Sequence, residues 1–153
     1  MLVYRIVHKL YGKSLTPLGL PGRWNLSGNK VVYCSESVAL ALLENMVRRQ
    51  GVGFNNDFCT MILEIPDSLK IQVIKAINLE DGWRNIRDYS KCQPSGNDWY
   101  EQNEFPILKV PSAILPDSSN FVINTAHKDF RKIKIIKITG LIPDARIEEI
   151  LKK

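Results

Sequence analysis

A chain of 153 residues has about the length of one domain. With 44% hydrophobic residues, 24% charged residues and a mean hydropathy of −0.14, its composition excludes disordered, fibrous and membrane-embedded classes. No apolar run approaches the ~18–20 residues that span a bilayer. The N-terminal MLVYRIVHKLYGKS breaks its apolar pattern at Arg5, His8 and Lys9, so no secretory signal is read and the expected compartment is the cytosol. Cys34, Cys59 and Cys92 fit neither a disulfide framework nor a CxxC metal knuckle and read as reduced thiols. The net charge of +5 is local, since residues 126–153 hold eight Lys/Arg against four Asp/Glu. Its lysines alternate with isoleucines, which favours a solvated sheet edge and helix over a nucleic-acid or acidic-protein surface.

Residues 2–7 (LVYRIV) alternate as a strand does, with Arg5 inside it. Residues 16–29 (TPLGLPGRWNLSGN) hold three glycines and two prolines and predict a loop of tight turns. A short buried strand over 31–34 (VVYC) follows. Ser35 and Ser37 offer caps for a helix from Val38 to about Gln50, closed by Arg48, Arg49 and Gly51. Strands are predicted over 59–65 and 71–77 around Pro66-Asp67-Ser68, then an irregular aromatic stretch over 78–104 with a short helix near 98–102. Strands over 107–115, 120–124 and 133–138 and a helix over 143–152 complete an α+β domain of six or seven strands and two or three helices, without repeats or linkers.

Several residues are candidates for chemistry. Glu44 has Leu40, Ala41 and Val47 as its i−4, i−3 and i+3 neighbours, which sets a carboxylate on an apolar helix face. That placement is costly unless the carboxylate is paired or hydrogen-bonded, so both a functional carboxylate and a structural ion pair fit it. Arg23, after Pro21-Gly22, offers a planar fork to phosphate or carboxylate in a loop without a GxGxxG or P-loop signature. Tyr33 reads as a core residue with a bonded hydroxyl or as a stacking platform. Ser112, in VPSA, lies outside any GxSxG elbow, and His127 reads first as a loop residue. Two histidines and three scattered cysteines argue against a zinc site, and no metal is expected.

The order and spacing of Arg5, PGRWNLSGNKVVYCSESVALALLENMV, WYEQNEFPILKVPSAIL and NFVINTAHKDF resemble a RES domain, the toxin of bacterial RES–Xre toxin–antitoxin modules. The resemblance runs over most of the chain and treats 1–153 as one RES domain. The positions matching the family's Arg, Glu and Ser are Arg23, Glu44 and Ser112, with Tyr33 as a fourth. One departure is Asn124-Thr125, where relatives often carry Asn-Pro.

The resemblance implies an ADP-ribosyltransferase-like split β core with flanking helices and NAD⁺ as substrate. It implies cleavage of the nicotinamide–ribose bond by hydrolysis or phosphorolysis, or protein ADP-ribosylation. Glu44 would stabilise the ribosyl cation, and Arg23, with Arg5 as a second candidate, would bind pyrophosphate or ribose. Tyr33 would stack on or edge the nicotinamide, and Ser112 would hydrogen-bond the ribose or the glutamate. Ser35 and Asn124 are counted among the residues holding NAD⁺. The implied partners are an Xre-type helix-turn-helix antitoxin that covers the cleft and a second copy in a homodimer, with nucleic acid reached only through the antitoxin. The rival reading is a nucleic-acid-acting toxin or binding module using the basic C-terminal segment.

Overall fold

The computed structural model describes residues 1–50 and 56–151. Seven strands form one mixed sheet: β1 (Leu2–His8), β2 (Val31–Ser35), β3 (Phe58–Glu64), β4 (Ile71–Val73), β5 (Ile107–Pro111), β6 (Ser119–Asn124) and β7 (Lys134–Gly140). Three α-helices accompany them: α1 (Val38–Arg48), α2 (Gln93–Gln102) and α3 (Ala145–Leu151). The strand order is β4-β5-β6-β2-β1-β3-β7, antiparallel except for the β4–β5 pair. The α+β class expected from the sequence is the one observed.

Both faces of the sheet are covered, which explains why its strands read as apolar runs more than as alternation. Val32, Cys34, Ile107, Phe121 and Ile123 pack on one face with Val3, Met61 and Leu63. Their neighbours Val31, Leu108 and Val122 pack on the other with Val110, Trp24, Trp83, Cys92 and Trp99. Burial pushes the thiol of Cys34 up to about 12, partly offset by the charge of Arg5. All three cysteines are free and buried.

The sheet has a seam. Every other antiparallel neighbour pair runs through five or more registered positions, whereas β1 meets β2 at a single pair, Tyr4 opposite Ser35. Beyond that point the two strands part. This is the split core that the resemblance implies, and it opens beside the residues that carry the candidate chemistry.

Some elements differ from expectation. The strand predicted over 71–77 stops at Val73: Ile74 N–H still reaches Lys109 O at 2.9 Å, but Ala76–Asn78 turn into a 3₁₀ helix and Ile77 lies 88% exposed with nothing to pack against. The strand predicted over 107–115 ends at Pro111, because the Ser112 hydroxyl takes the N–H groups of Ile114 and Leu115. Helix α2 begins at Gln93, five residues earlier than predicted, with Pro94 in its first turn. Gly51, predicted to close α1, lies outside the described residues. Edge strand β7 pairs with β3 through a bulge, Ile62 facing Lys137 and Leu63 facing Ile135, which leaves Ile136 unpaired.

Gly96 shows how closely α2 is fitted. A Cβ there would lie 2.0 Å from the carbonyl oxygen of Trp24, so only glycine lets the helix carry the loop that holds Arg23. Gln93 adds hydrogen bonds from its Nε2 to the carbonyls of Gly22 and Asn25, at 3.0 and 3.2 Å. Gly96→Ala is expected to cost about 1–3 kcal/mol by overpacking. Thermal unfolding should show this as a fall of several degrees.

Candidate active site

The site is built around the seam. Arg5 leaves β1 just past the last point where β1 and β2 pair, and its Nη1 donates to the backbone carbonyl of Tyr33 at 2.9 Å. A guanidinium thus spans the gap where the ladder stops. Burial lowers its pKa, and the charge of nearby Arg48, near the end of α1, lowers it further against the opposing effect of Cys34. It remains a cation at any working pH.

Tyr33 stands on β2. Its hydroxyl donates to Asn25 Oδ1 at 2.7 Å and accepts the Trp24 N–H at 3.1 Å, so the ring fastens the turn after Gly22 to the sheet. Gly22 is needed there because a Cβ would lie 2.7 Å from both the Tyr33 hydroxyl and Asn25 Oδ1. Burial raises the phenol pKa, against the opposing effects of the Trp24 N–H and the cations Arg48 and Arg23. Tyr33 therefore stays protonated and keeps its donor.

Arg23 lies in the fastened loop. Its Nη1 donates to Trp83 O and its Nη2 to Asn85 O at 3.0 Å, while the guanidinium sits 4.7 Å from the centroid of the Tyr89 ring. Arg23 thereby clamps the 83–89 loop, and its side chain also hydrogen-bonds the Cys92 sulfur. Among the described residues, Arg5, Arg23 and Arg48 have no carboxylate at ion-pair distance. Three guanidiniums with no carboxylate partner among the described residues, gathered around one tyrosine, form a site with an affinity for anions.

The acidic component comes from α1. Ser37 caps the helix by accepting the Leu40 N–H at 3.1 Å, Leu40 and Ala41 are buried, and Arg49 lies 4.2 Å over the Phe58 ring. Val47, expected on the same face as Glu44, is 55% exposed, so the apolar neighbours of Glu44 lie on its N-terminal side. Glu44 is half-buried and reaches across to the ends of β5 and β6. Its Oε1 accepts two hydrogen bonds, from Ser112 Oγ at 2.8 Å and from Asn120 Nδ2 at 2.5 Å. Ser112 is fully buried, and its oxygen also accepts the N–H groups of Ile114 and Leu115, both at 3.1 Å. Its single hydroxyl proton therefore goes to Glu44, the second of the two roles the resemblance offered for it.

Ser35 and Asn124 are placed differently from the rest. Ser35 is buried on β2 opposite Asn120 and donates to Asn120 Oδ1 at 2.7 Å. Asn124 closes β6, where its Nδ2 donates to Asn103 Oδ1 at 3.0 Å and its Oδ1 accepts the Ala126 N–H at 2.9 Å. Both polar ends of Asn124 are occupied in bracing a turn. Thr125 uses its N–H and its hydroxyl on Lys30 O, both at 2.9 Å, and the backbone bond is one that the proline common in relatives could not make. His127 is buried and caps the following 3₁₀ turn by accepting the Asp129 N–H at its Nδ1. Among the described residues no group of three His, Cys, Asp or Glu could hold a metal ion, and no helix is long and apolar enough to cross a membrane.

Arg48 and Asn120 were not singled out from sequence. Arg48 reads there only as a helix-closing residue. Asn120 does carry a signal, being an amide on a strand whose next three residues are apolar, where a polar group needs a partner.

The arrangement gathers guanidiniums at a split in the sheet, with a pinned carboxylate, Glu44, one helical turn before Arg48. Residues 2–146 match the family described as the RES domain. The chain belongs to the RES domain family. It is 32% identical to a protein named Toxin Res from Yersinia enterocolitica over 135 residues, covering 86% of this chain and 88% of that protein. It is 30% identical to Toxin Res of Photorhabdus laumondii over 152 residues, covering 96% and 97%. It is also 33% identical over 128 residues to the Prs ADP-ribosylating toxin of a Sphingobium species, covering 82% and 80%.

Tyr33→Phe deletes a hydroxyl that satisfies both Trp24 N–H and Asn25 Oδ1. Leaving buried polar groups unpaired costs about 1–3 kcal/mol each, so scanning calorimetry should record a melting point lower by several degrees.

Proposed function

We propose that this RES-family chain is a toxin enzyme that cleaves the bond between nicotinamide and ribose in NAD⁺. The observation that carries this reading is Glu44, whose Oε1 is occupied by Ser112 and Asn120 while its Oε2 has no partner among the described residues. Loss of nicotinamide leaves an oxocarbenium-like ribosyl cation, which a preorganised carboxylate in a partly desolvated cleft stabilises as the charge develops. Nicotinamide departs as a neutral molecule, so no general acid has to protonate it. The bond that breaks is the C–N glycosidic bond, its electron pair leaves with nicotinamide, and the new bond at the ribose forms with water, phosphate or an acceptor.

The cations support the same reading. NAD⁺ carries a pyrophosphate, and the guanidiniums of Arg5, Arg23 and Arg48 offer charge-assisted hydrogen bonds to it. Tyr33, fixed between Arg5 and the Arg23 loop, would bound the nicotinamide pocket with its ring. The name of the Sphingobium relative supports a second outcome after the same bond cleavage, transfer of ADP-ribose to a protein. An active enzyme of this kind consumes a metabolite its own cell needs, which calls for an inhibitor. We infer an Xre-type helix-turn-helix antitoxin that covers the cleft, with growth arrest when it is lost.

Purified protein mixed with NAD⁺ should release nicotinamide, followed by chromatography. Glu44→Gln should lower the rate about a hundred- to a thousandfold. ADP-ribose in phosphate-free buffer would mark hydrolysis, ADP-ribose-1″-phosphate formed only with phosphate would mark phosphorolysis, and nicotinamide released only with an added cell extract would mark protein transfer. A folded parent that releases none under all three conditions would overturn the reading.

A further inference from the structure

Two donors converge on one oxygen of Glu44, and one of them, Asn120, opens the NFVINTAHKDF stretch without having been assigned a role there. Its amide is oriented by a third residue. Ser35, directly opposite on β2, donates its hydroxyl proton to Asn120 Oδ1 at 2.7 Å. An oxygen that accepts from Ser35 leaves the amide nitrogen facing the carboxylate, where it donates to Glu44 Oε1. The reversed amide would set its oxygen against a carboxylate oxygen, two acceptors with no proton between them. Ser112 has no such choice either, since backbone N–H groups fill its acceptor side.

Resting on the NAD⁺-cleaving reading above, we propose that Asn120, oriented by Ser35, is a positioning residue that fixes which oxygen of Glu44 meets the ribose: Oε1 is anchored to the sheet and Oε2 is presented to the reacting carbon. Ser35 acts through Asn120 and does not touch the substrate. The sheet supplies the precision. Ser35 and Asn120 are a directly opposed cross-strand pair, so their separation is set by backbone hydrogen bonding. The carboxylate on α1 is thus registered to β2 and β6 independently of the loops around the cleft.

The proposal separates turnover from binding. Asn120→Ala removes the donor and leaves the cations untouched. Turnover of NAD⁺ is expected to fall about ten- to a hundredfold, as for loss of one hydrogen bond to a charged group, with KM within about twofold and the melting point within a few degrees. Asn120→Asp keeps the acceptor for Ser35 but sets a second carboxylate against Glu44, and should fall at least as far. Ser35→Ala should show a smaller loss, and Ser35→Ala combined with Asn120→Ala should be no worse than Asn120→Ala alone. Parental turnover in Asn120→Ala, or additive losses in the double variant, would overturn the proposal.

A second readout does not need activity. The side-chain amide signal of Asn120 in a ¹⁵N-labelled sample should shift in both Glu44→Ala and Ser35→Ala. A signal indifferent to both would refute the proposal. If the parent fails to release nicotinamide, it is the NAD⁺ reading that falls, and the amide signal still decides whether Asn120 holds Glu44.

Discussion

The structure depends on one place where a β-ladder stops. Four strands on one side and three on the other are joined across β1 and β2 by a single registered pair, Tyr4 with Ser35. Backbone groups freed by such a parting must find other partners or water. Arg5 meets part of that need, since its guanidinium takes the Tyr33 carbonyl that a continuing ladder would have used. A strand interior is a poor place for a cation unless the strands separate there. The opening therefore accounts at once for the arginine in the first strand and for the break in the sheet near the start of α1.

The acidic and aromatic residues of the site are then tied to the elements around that opening. Strand β2 carries Tyr33, which holds the turn of Trp24 and Asn25, which in turn rests on α2 through Gly96 and Gln93. The carboxylate comes from α1, which starts after two intervening residues and so cannot drift far from β2. Cation and carboxylate stay apart: Arg5 and Arg23 spend donors on carbonyls, and Glu44 spends an oxygen on a hydroxyl and an amide. Were they paired with each other, neither charge would be left for a ligand.

Local patterns in the sequence carried most of the fold. The capped helix after VVYC, the loop around Arg23 and the terminal strands stand close to where periodicity and turn residues set them. Failures came where a tertiary partner overrode a pattern. Residues 71–77 look like a strand throughout, yet only three residues have a neighbour to pair with. Residues 107–115 are broken by a serine hydroxyl that competes for backbone N–H groups. The grouping of Glu44 with Ser112 came from resemblance; no spacing rule connects residues 68 positions apart. Asn120 was harder still, because its meaning depends on which residue lies across from it on β2, and cross-strand register is not written locally.

The positive charge of the C-terminal segment, read from the sequence as a solvated sheet edge and helix, has a further consequence where β7 lies. Lys134 and Lys137 lie exposed on β7, the outermost strand, whose ladder is interrupted at Ile136. An open strand edge with isoleucines at 50% and 46% exposure, as at Ile136 and Ile138, invites another strand to join it. Lysines and a bulge are the means by which natural sheets discourage such joining. Part of the basicity, read from the sequence as a solvated sheet edge, thus also serves as protection of that edge, a safeguard against aggregation.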